Sequence, residues 1–407
     1  MLFTNGQYTV IVKVMTYSNR TIESTCLKDL EAFPILTLTG PRQSGKSTLL
    51  RKLLPDWQYV NLEDINNREF ASQDPIGFLK TYSDKVVFDE IQRIPTLLSQ
   101  IQVVVDSEKK LGRYALTGSH NLLLLEHISQ SLAGRTSIRH LLPFSFIEMK
   151  NSNISKNSME ENLFLGGYPS VHENISNSTT WLDSYVETYI QRDVRMIKNI
   201  SDLSTFERFI RVCAARTSQI IDLSSIGNDI GVTHNTIKEW LGVLEAGFVC
   251  FKLEPFYKNY SKRIIKRPKI YFYDTGLLCR ILRIKTPEEL ETHSLRGAIF
   301  ENWCVTEIQK AFFHQGQRPA MSFWRDQKIE VDILIDSLAD KILAFECKSG
   351  STIQEGFFKN ISELKSIIDD KLIDSYVTYG GDQTQKRSNG EFLSWKDFAV
   401  NILDLIV

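Results

Sequence analysis

An α/β architecture in several units is predicted for this 407-residue chain: a parallel sheet with helices on both faces, then a helical region, then a second α/β unit. Three observations predict it. Short apolar runs alternate with helix-length amphipathic stretches through the first third of the chain, the pattern of a parallel sheet covered on both faces. The stretch Gly40-Pro41-Arg42-Gln43-Ser44-Gly45-Lys46-Ser47 matches G-x-x-x-x-G-K-[ST] at every fixed position, between one such run and one such helix. Near the end, two apolar runs at residues 329–335 and 342–348 are joined by a short turn and carry acids toward one sheet end.

Residues 1–14 are strand-like, and a new helical stretch covers residues 19–33; Met15 is a second candidate start, so residues 1–16 read as an extension. The run at 35–39 is a buried strand, and residues 47–54 form a helix stopped by Pro55. A strand, a glycine-rich turn and a helix N-terminus make an anion cradle, because free backbone N–H groups and the helix dipole both point at the phosphates. Gly40 and Gly45 permit the backbone angles and the close approach that such a turn needs. In this reading Gly40, Pro41, Arg42, Gln43, Ser44, Gly45, Lys46, Ser47 and Thr48 bind ATP. Lys46 reaches the β/γ-phosphates and Ser47 is a ligand of Mg²⁺.

Residues 58–62 are a second short strand, and residues 85–90 a third, ending in Asp89-Glu90. One strand–helix unit separates that acid pair from the loop, the spacing that puts Asp89 on the Mg²⁺ and Glu90 beside the γ-phosphate as the base for an attacking water. A helix at 96–106 leads to a strand at 113–119 whose end is rich in small hydroxyl residues. Ser119, with Thr117 as the alternative, is placed to hydrogen-bond the water or the γ-phosphate; a simple turn and helix cap is the competing reading. Arg135, before a strand at 137–142, is a candidate for the arginine that stabilises transition-state charge, from its own or a neighbouring subunit; Arg42 competes for that role.

The polar stretch 151–158 is a linker, and a helix covers 181–197. Residues 223–230 and 234–245 read as two short helices, the first with a serine cap, joined by a turn at 231–233 and facing inward through Ile226, Ile230, Val232, Ile237, Leu241 and Leu244. Strands at 248–253 and 269–274 follow as a wing. Between and beside them Lys258, Lys262, Arg263, Lys266, Arg267 and Lys269 alternate with Tyr257 and Tyr260, a pattern suited to DNA phosphates or to a solvated loop. In the last unit a helix at 296–313 carries Glu301, and the terminal hairpin brings Asp332 beside Glu346 and Lys348. An aspartate followed by Glu-x-Lys on adjacent strands is a metal-nuclease arrangement: Asp332 and Glu346 bind Mg²⁺, and Lys348 steadies phosphate charge or activates water. The competing reading is a surface hairpin with an Asp–Lys pair.

Composition narrows the alternatives. The 48 basic and 49 acidic side chains nearly cancel, so any nucleic-acid surface has to be local. Six cysteines without metal-ligand spacing, no membrane-length apolar run and no leader-like N-terminus predict a cytoplasmic protein with reduced thiols and no membrane partner. The unit boundaries read from the sequence are 1–16, 17–150, 151–205, 206–280 and 281–407.

Taken in order, these pieces resemble a widespread family of bacterial and archaeal AAA-type ATPases. The resemblance runs from about Tyr17 to the C-terminus. It is carried by the loop through Thr48, Phe88-Asp89-Glu90-Ile91-Gln92, Leu116-Thr117-Gly118-Ser119, Leu132-Ala133-Gly134-Arg135, Gln191-Arg192-Asp193-Val194, Asp274-Thr275-Gly276-Leu277 and Phe345-Glu346-Cys347-Lys348. It implies a P-loop NTPase domain, then a winged helix and an α/β restriction-endonuclease-like end, with ATP binding and hydrolysis. Two functions follow as expectations: an ATP-driven machine acting on DNA through a metal-dependent nuclease, or a nucleotide-switched regulatory or scaffold ATPase with a degenerate nuclease fold, in either case with a possible homo-oligomer. A nucleotide kinase is the weaker third, since no cluster of lid arginines is evident.

Overall fold

In the computed structural model the described residues are 3–5, 8–10, 17–118, 131–189, 200, 202–256, 267–326, 328–336, 341–367 and 373–406. A two-stranded antiparallel ribbon, β1 (Phe3–Asn5) and β2 (Tyr8–Val10), stands at the N-terminus. The first helix, Glu23–Ala32, leads into a five-stranded parallel sheet. Its strands are β3 (Ile35–Thr39), β4 (Gln58–Asn61), β5 (Val86–Asp89), β6 (Tyr114–Gly118) and β7 (Thr136–His140), in the order β4-β5-β6-β3-β7. β6 therefore lies between the loop strand β3 and the acid-bearing β5. Every residue of β3, β5 and β6 is buried, as their apolar runs demand for a sheet sandwiched between helices. Ile35, Val86, Phe88, Tyr114 and Leu116 pack on one face and Leu36, Leu38, Val87 and Ala115 on the other.

The helical region begins with Phe146–Asn151, closed by a capping box in which Ser145 accepts from the Glu148 N–H and Glu148 from the Ser145 N–H. Helices Met159–Leu165, Pro169–Glu173 and Ser178–Tyr185 follow. Beyond Leu203–Ala215, helices Leu223–Ile230 and His234–Ala246 form the expected pair. Its first cap is Asp222, not a serine, because the aspartate accepts from both the Ser224 and Ser225 N–H groups; Thr233 caps the second helix. β8 (Cys250–Leu253) and β9 (Lys269–Phe272) pair antiparallel.

Helix Thr275–Ile281 and the 19-residue helix Arg296–His314 lead to a six-stranded mixed sheet. Its members are β10 (Met321–Arg325), β11 (Glu330–Asp336), β12 (Ile342–Lys348), β13 (Ile373–Tyr379), β14 (Gln385–Arg387) and β15 (Gly390–Ser394). β10, β11 and β12 run antiparallel, and β12, β13 and β15 run parallel. One continuous apolar cluster extends from Leu142 to Ile406, through the helical region, the helix pair, the β8–β9 hairpin and one face of this sheet. The three units read from composition after residue 150 thus share a core. Tyr257, Lys258, Tyr260, Lys262, Arg263 and Lys266 lie outside the described residues; β9 is buried throughout, and its partner strand continues into a contact in which the Phe256 N–H donates to the Phe323 carbonyl at 2.7 Å.

Candidate functional site

The loop 40–48 sits at the carboxyl end of β3, where the strand stops and helix Lys46–Leu53 begins. Gly40 has φ +150° and its α-hydrogen faces the Leu141 carbonyl so closely that a Cβ would lie 2.2 Å from that oxygen. Gly45 has φ +97° and occupies the cap position of the helix without a side chain to cap it, so the first N–H groups stay open to an anion. The Lys46 ammonium is buried and donates to the Gly40 and Pro41 carbonyls at 2.9 and 2.7 Å. Burial pushes its pKa down to about 8, against the pull of Glu90 and Asp89. Ser44 Oγ is buried with no hydrogen-bond partner among the described residues. An unsatisfied hydroxyl in a loop of open N–H groups is a vacancy for acceptor oxygens, and these residues fit a bound triphosphate.

Asp89 ends β5 beside the loop. Its carboxylate accepts from Ser47 Oγ at 2.8 Å and also from the Tyr59 and Thr117 hydroxyls. Burial, and then the aspartate, push Tyr59 up to about 12, so its phenol stays a donor. Three hydroxyls thus orient one carboxylate next to Ser47, a pair suited to sharing a divalent cation. Glu90 follows in the left-handed region, φ 58°, which turns its side chain out of the strand direction. Its N–H donates to Thr117 Oγ1 at 3.3 Å and its carboxylate accepts from Gln92. Arg42 pairs with Glu63 at 3.3 Å, and the Tyr185 hydroxyl of the helical region donates to the Arg42 carbonyl at 3.2 Å.

One expected residue stands elsewhere. Arg135 precedes β7, whose Thr136 pairs with Ile35 at the start of β3. It therefore lies at the opposite end of the sheet from the loop, a strand length of about 13–16 Å away, where it binds Asp106. That corrects its role at its own nucleotide: a parallel register leaves no path back. Ser119 and the Gln191-Arg192-Asp193-Val194 segment lie outside the described residues; the hydroxyl that meets Asp89 and Glu90 is the alternative, Thr117.

Sequence reading missed Arg20. It is buried, donates to the Ser44 carbonyl at 2.9 Å and to the Leu142 carbonyl at 2.7 Å, and pairs with Glu148 at 3.1 Å. Glu148 also faces His314 Nε2 at 3.5 Å, at the end of the long helix. Burial would raise the Glu148 pKa, but Arg20 and His314 outweigh it and hold it down to about 2. No local pattern shows this contact, because Arg20 and Glu148 are 128 residues apart.

In the C-terminal unit Glu301, Glu330, Asp332 and Glu346 converge between the long helix and strands β11 and β12. Lys269 enters from β9 with 1 % of its side chain exposed, 3.0 Å from Glu301, 2.6 Å from Glu330 and 3.9 Å from Asp332. This corrects its expected place among phosphate-binding residues. Further donors reach the cluster: Tyr271 donates to Glu301 at 2.7 Å, the Cys347 N–H to Asp332 at 2.9 Å, and Lys348 and Asn360 to Glu346 at 2.8 and 3.2 Å. Burial and then Asp332 push Glu301 up to about 8 and Glu346 up to about 7, against the lysines. The expected Mg²⁺ pair of Asp332 and Glu346 does not fit a metal here: Lys348 and Asn360 donate to Glu346, the Cys347 N–H to one Asp332 oxygen, and the Lys269 ammonium lies 3.9 Å from the other; among the described residues no group of three His, Cys, Asp or Glu is arranged to hold an ion.

Residues 32–150 match the model described as an AAA domain, residues 156–288 a domain of unknown function (DUF8612), and residues 296–398 another (DUF4143). Uncharacterized proteins of Mycobacterium tuberculosis and Mycobacterium bovis are each 29% identical over 351 residues, 84% of this chain and 77% of theirs. A Walker-type ATPase of Pyrococcus abyssi aligns over 67% of this chain and 98% of its own, with 17% identity and a TM-score of 0.46. A signal-transduction ATPase of Pyrococcus horikoshii aligns over 74% and 48%, with 10% identity and a TM-score of 0.26. No described helix is long and apolar enough to cross a membrane. With the loop on β3, the acids on β5 and one strand between them, residues 32–150 form an AAA-type P-loop ATPase domain.

Proposed function

We propose that this protein is a Mg²⁺-dependent ATPase whose nucleotide state is passed to the helical and C-terminal units through Arg20. The observation that carries the reading is the meeting of Ser47, Asp89 and Glu90 beside the loop, with Asp89 oriented by Tyr59 and Thr117. The loop N–H groups and Lys46 hold the triphosphate, and Ser47 with Asp89 hold the cation, which supplies neutralising charge to the phosphoryl oxygens. Glu90 accepts the proton of the attacking water, its backbone pinned by Thr117 and its carboxylate by Gln92. A cavity of about 200 Å³ beside the loop, bordered by Tyr17, Gly45, Thr48, Phe144 and Pro169, suits the base. Arg42 is the in-chain cation near the phosphates; a role for Arg135 requires a neighbouring copy.

Action on DNA is a second reading, favoured by the capped helix pair: His234, Asn235 and Lys238 are exposed on the first turns of the second helix. This reading includes no nuclease step, since Asp332 faces Lys269 and Glu346 pairs with Lys348.

One experiment tests both readings: ATP binding and turnover of wild type and Glu90→Gln, with and without duplex DNA at low salt. Glu90→Gln should bind ATP as wild type does and turn over at least about 100-fold more slowly. Undiminished turnover removes Glu90 as the base. Faster turnover with DNA, together with a gel shift, supports the second reading; neither effect rejects it.

A further inference from the structure

The C-terminal carboxylate cluster resembles a metal site in its residue types and contradicts one in its geometry. Four acids from one helix and two strands converge, three of them largely buried, which demands compensating charge. Three cations supply most of it. Lys269 sits among Glu301, Glu330 and Asp332, Lys348 lies on Glu346, and Arg325 takes the second oxygen of Glu330 at 3.0 Å. The Lys269 ammonium also lies 5.4 Å from the Phe323 ring centroid, which covers it.

Lys269 belongs to another element altogether. It comes from β9, where Leu253 is its antiparallel partner and Ile220 bridges to it on the other side, so its backbone is held in the hairpin while its side chain crosses to the sheet. The same hairpin meets that sheet a second time, through Phe256 and Phe323. We propose that Lys269 is the resident cation of this cluster, holding Glu301 and Glu330 beside Asp332 in place of a divalent ion and locking the β8–β9 hairpin onto the C-terminal sheet. The cluster is then a charged joint between the helix-pair region and the last unit, closed to metal. This does not depend on the nucleotide reading, and ATP turnover can fail or persist without touching it.

The test uses the full chain without nucleotide. Mn²⁺ binding is followed by the electron paramagnetic resonance signal of the free ion, and stability by thermal melting, for wild type, Lys269→Met, Asp332→Asn and Lys269→Met/Asp332→Asn. Wild type and Asp332→Asn should take up the same amount of Mn²⁺. Lys269→Met should melt about 5 °C or more below wild type, gain one Mn²⁺ equivalent, and recover part of that loss in millimolar Mn²⁺. Both gains should vanish in the double variant. Mn²⁺ uptake by wild type that disappears in Asp332→Asn overturns the proposal, as does a Lys269→Met protein that melts with wild type. Should Lys269→Met fail to fold, the comparison of wild type with Asp332→Asn still decides the question.

Discussion

At the scale of single residues, Gly40 is the position at which the loop tolerates least change. Its φ of +150° is closed to L side chains, and the Leu141 carbonyl stands where a Cβ would go. That carbonyl cannot retreat, because the Leu141 N–H is fixed to the Thr39 carbonyl at 2.8 Å. Gly40→Ala should therefore displace the loop and weaken ATP binding at least tenfold, while Gly134→Ala, with nothing within 4 Å of the added carbon, is the control for backbone strain alone. Titration with a fluorescent ATP analogue reads the difference. The loop residues and Asp89-Glu90 were legible in the sequence because each belongs to a short contiguous pattern. Tyr59 and Arg20 were not: the first is one aromatic in an unremarkable strand, and the second meets its partners only across 24 to 128 residues of chain.

At the scale of elements, local signals placed strands and helices well and mistook some of their ends. The helix Leu223–Ile230 begins after an aspartate that accepts two backbone N–H groups, while the serines after it serve as donors of those groups. Asp222 also meets Arg267 at the base of the hairpin, so one side chain caps a helix and ties it to β9. Asp222→Ala should lower the urea unfolding midpoint, and Asp222→Asn should recover most of the loss if the cap matters more than the exposed ion pair. The expected role of Lys269 changed for a different reason: β9 is buried against the long helix and the C-terminal sheet, so its lysine turns inward to acids instead of outward to phosphate.

At the scale of the whole molecule, the ATPase domain and the rest meet through buried charge. Arg20 touches the loop, Glu148 answers Arg20, and His314 answers Glu148; nearby, Arg139 pairs with Asp29 and donates to the Gly316 carbonyl at 2.7 Å, and Thr25 donates to the His314 carbonyl at 2.7 Å. The His314 pKa is lowered by burial to about 4 from 6.5, with Glu148 opposing and Arg20 and Lys310 assisting. Between those values the unfolded chain binds the proton and the folded one does not, so stability falls as pH drops from 6.5 toward 4. His314→Gln should remove about 3 kcal/mol of that fall, seen as a flatter dependence of the urea midpoint on pH than in wild type.

What the sequence determined by itself was the nucleotide-site pattern and the alternation that makes a parallel sheet, because both are written in neighbouring residues. The tertiary structure decided the rest. Only the strand order puts Thr117 and Tyr59 on Asp89 and carries Arg135 to the far end of the sheet, and only the packing of β9 delivers Lys269 to three carboxylates. The physical reason is the same in each case: a buried charge is satisfied by whichever partner the fold brings within hydrogen-bond reach, and that partner can lie anywhere along the chain.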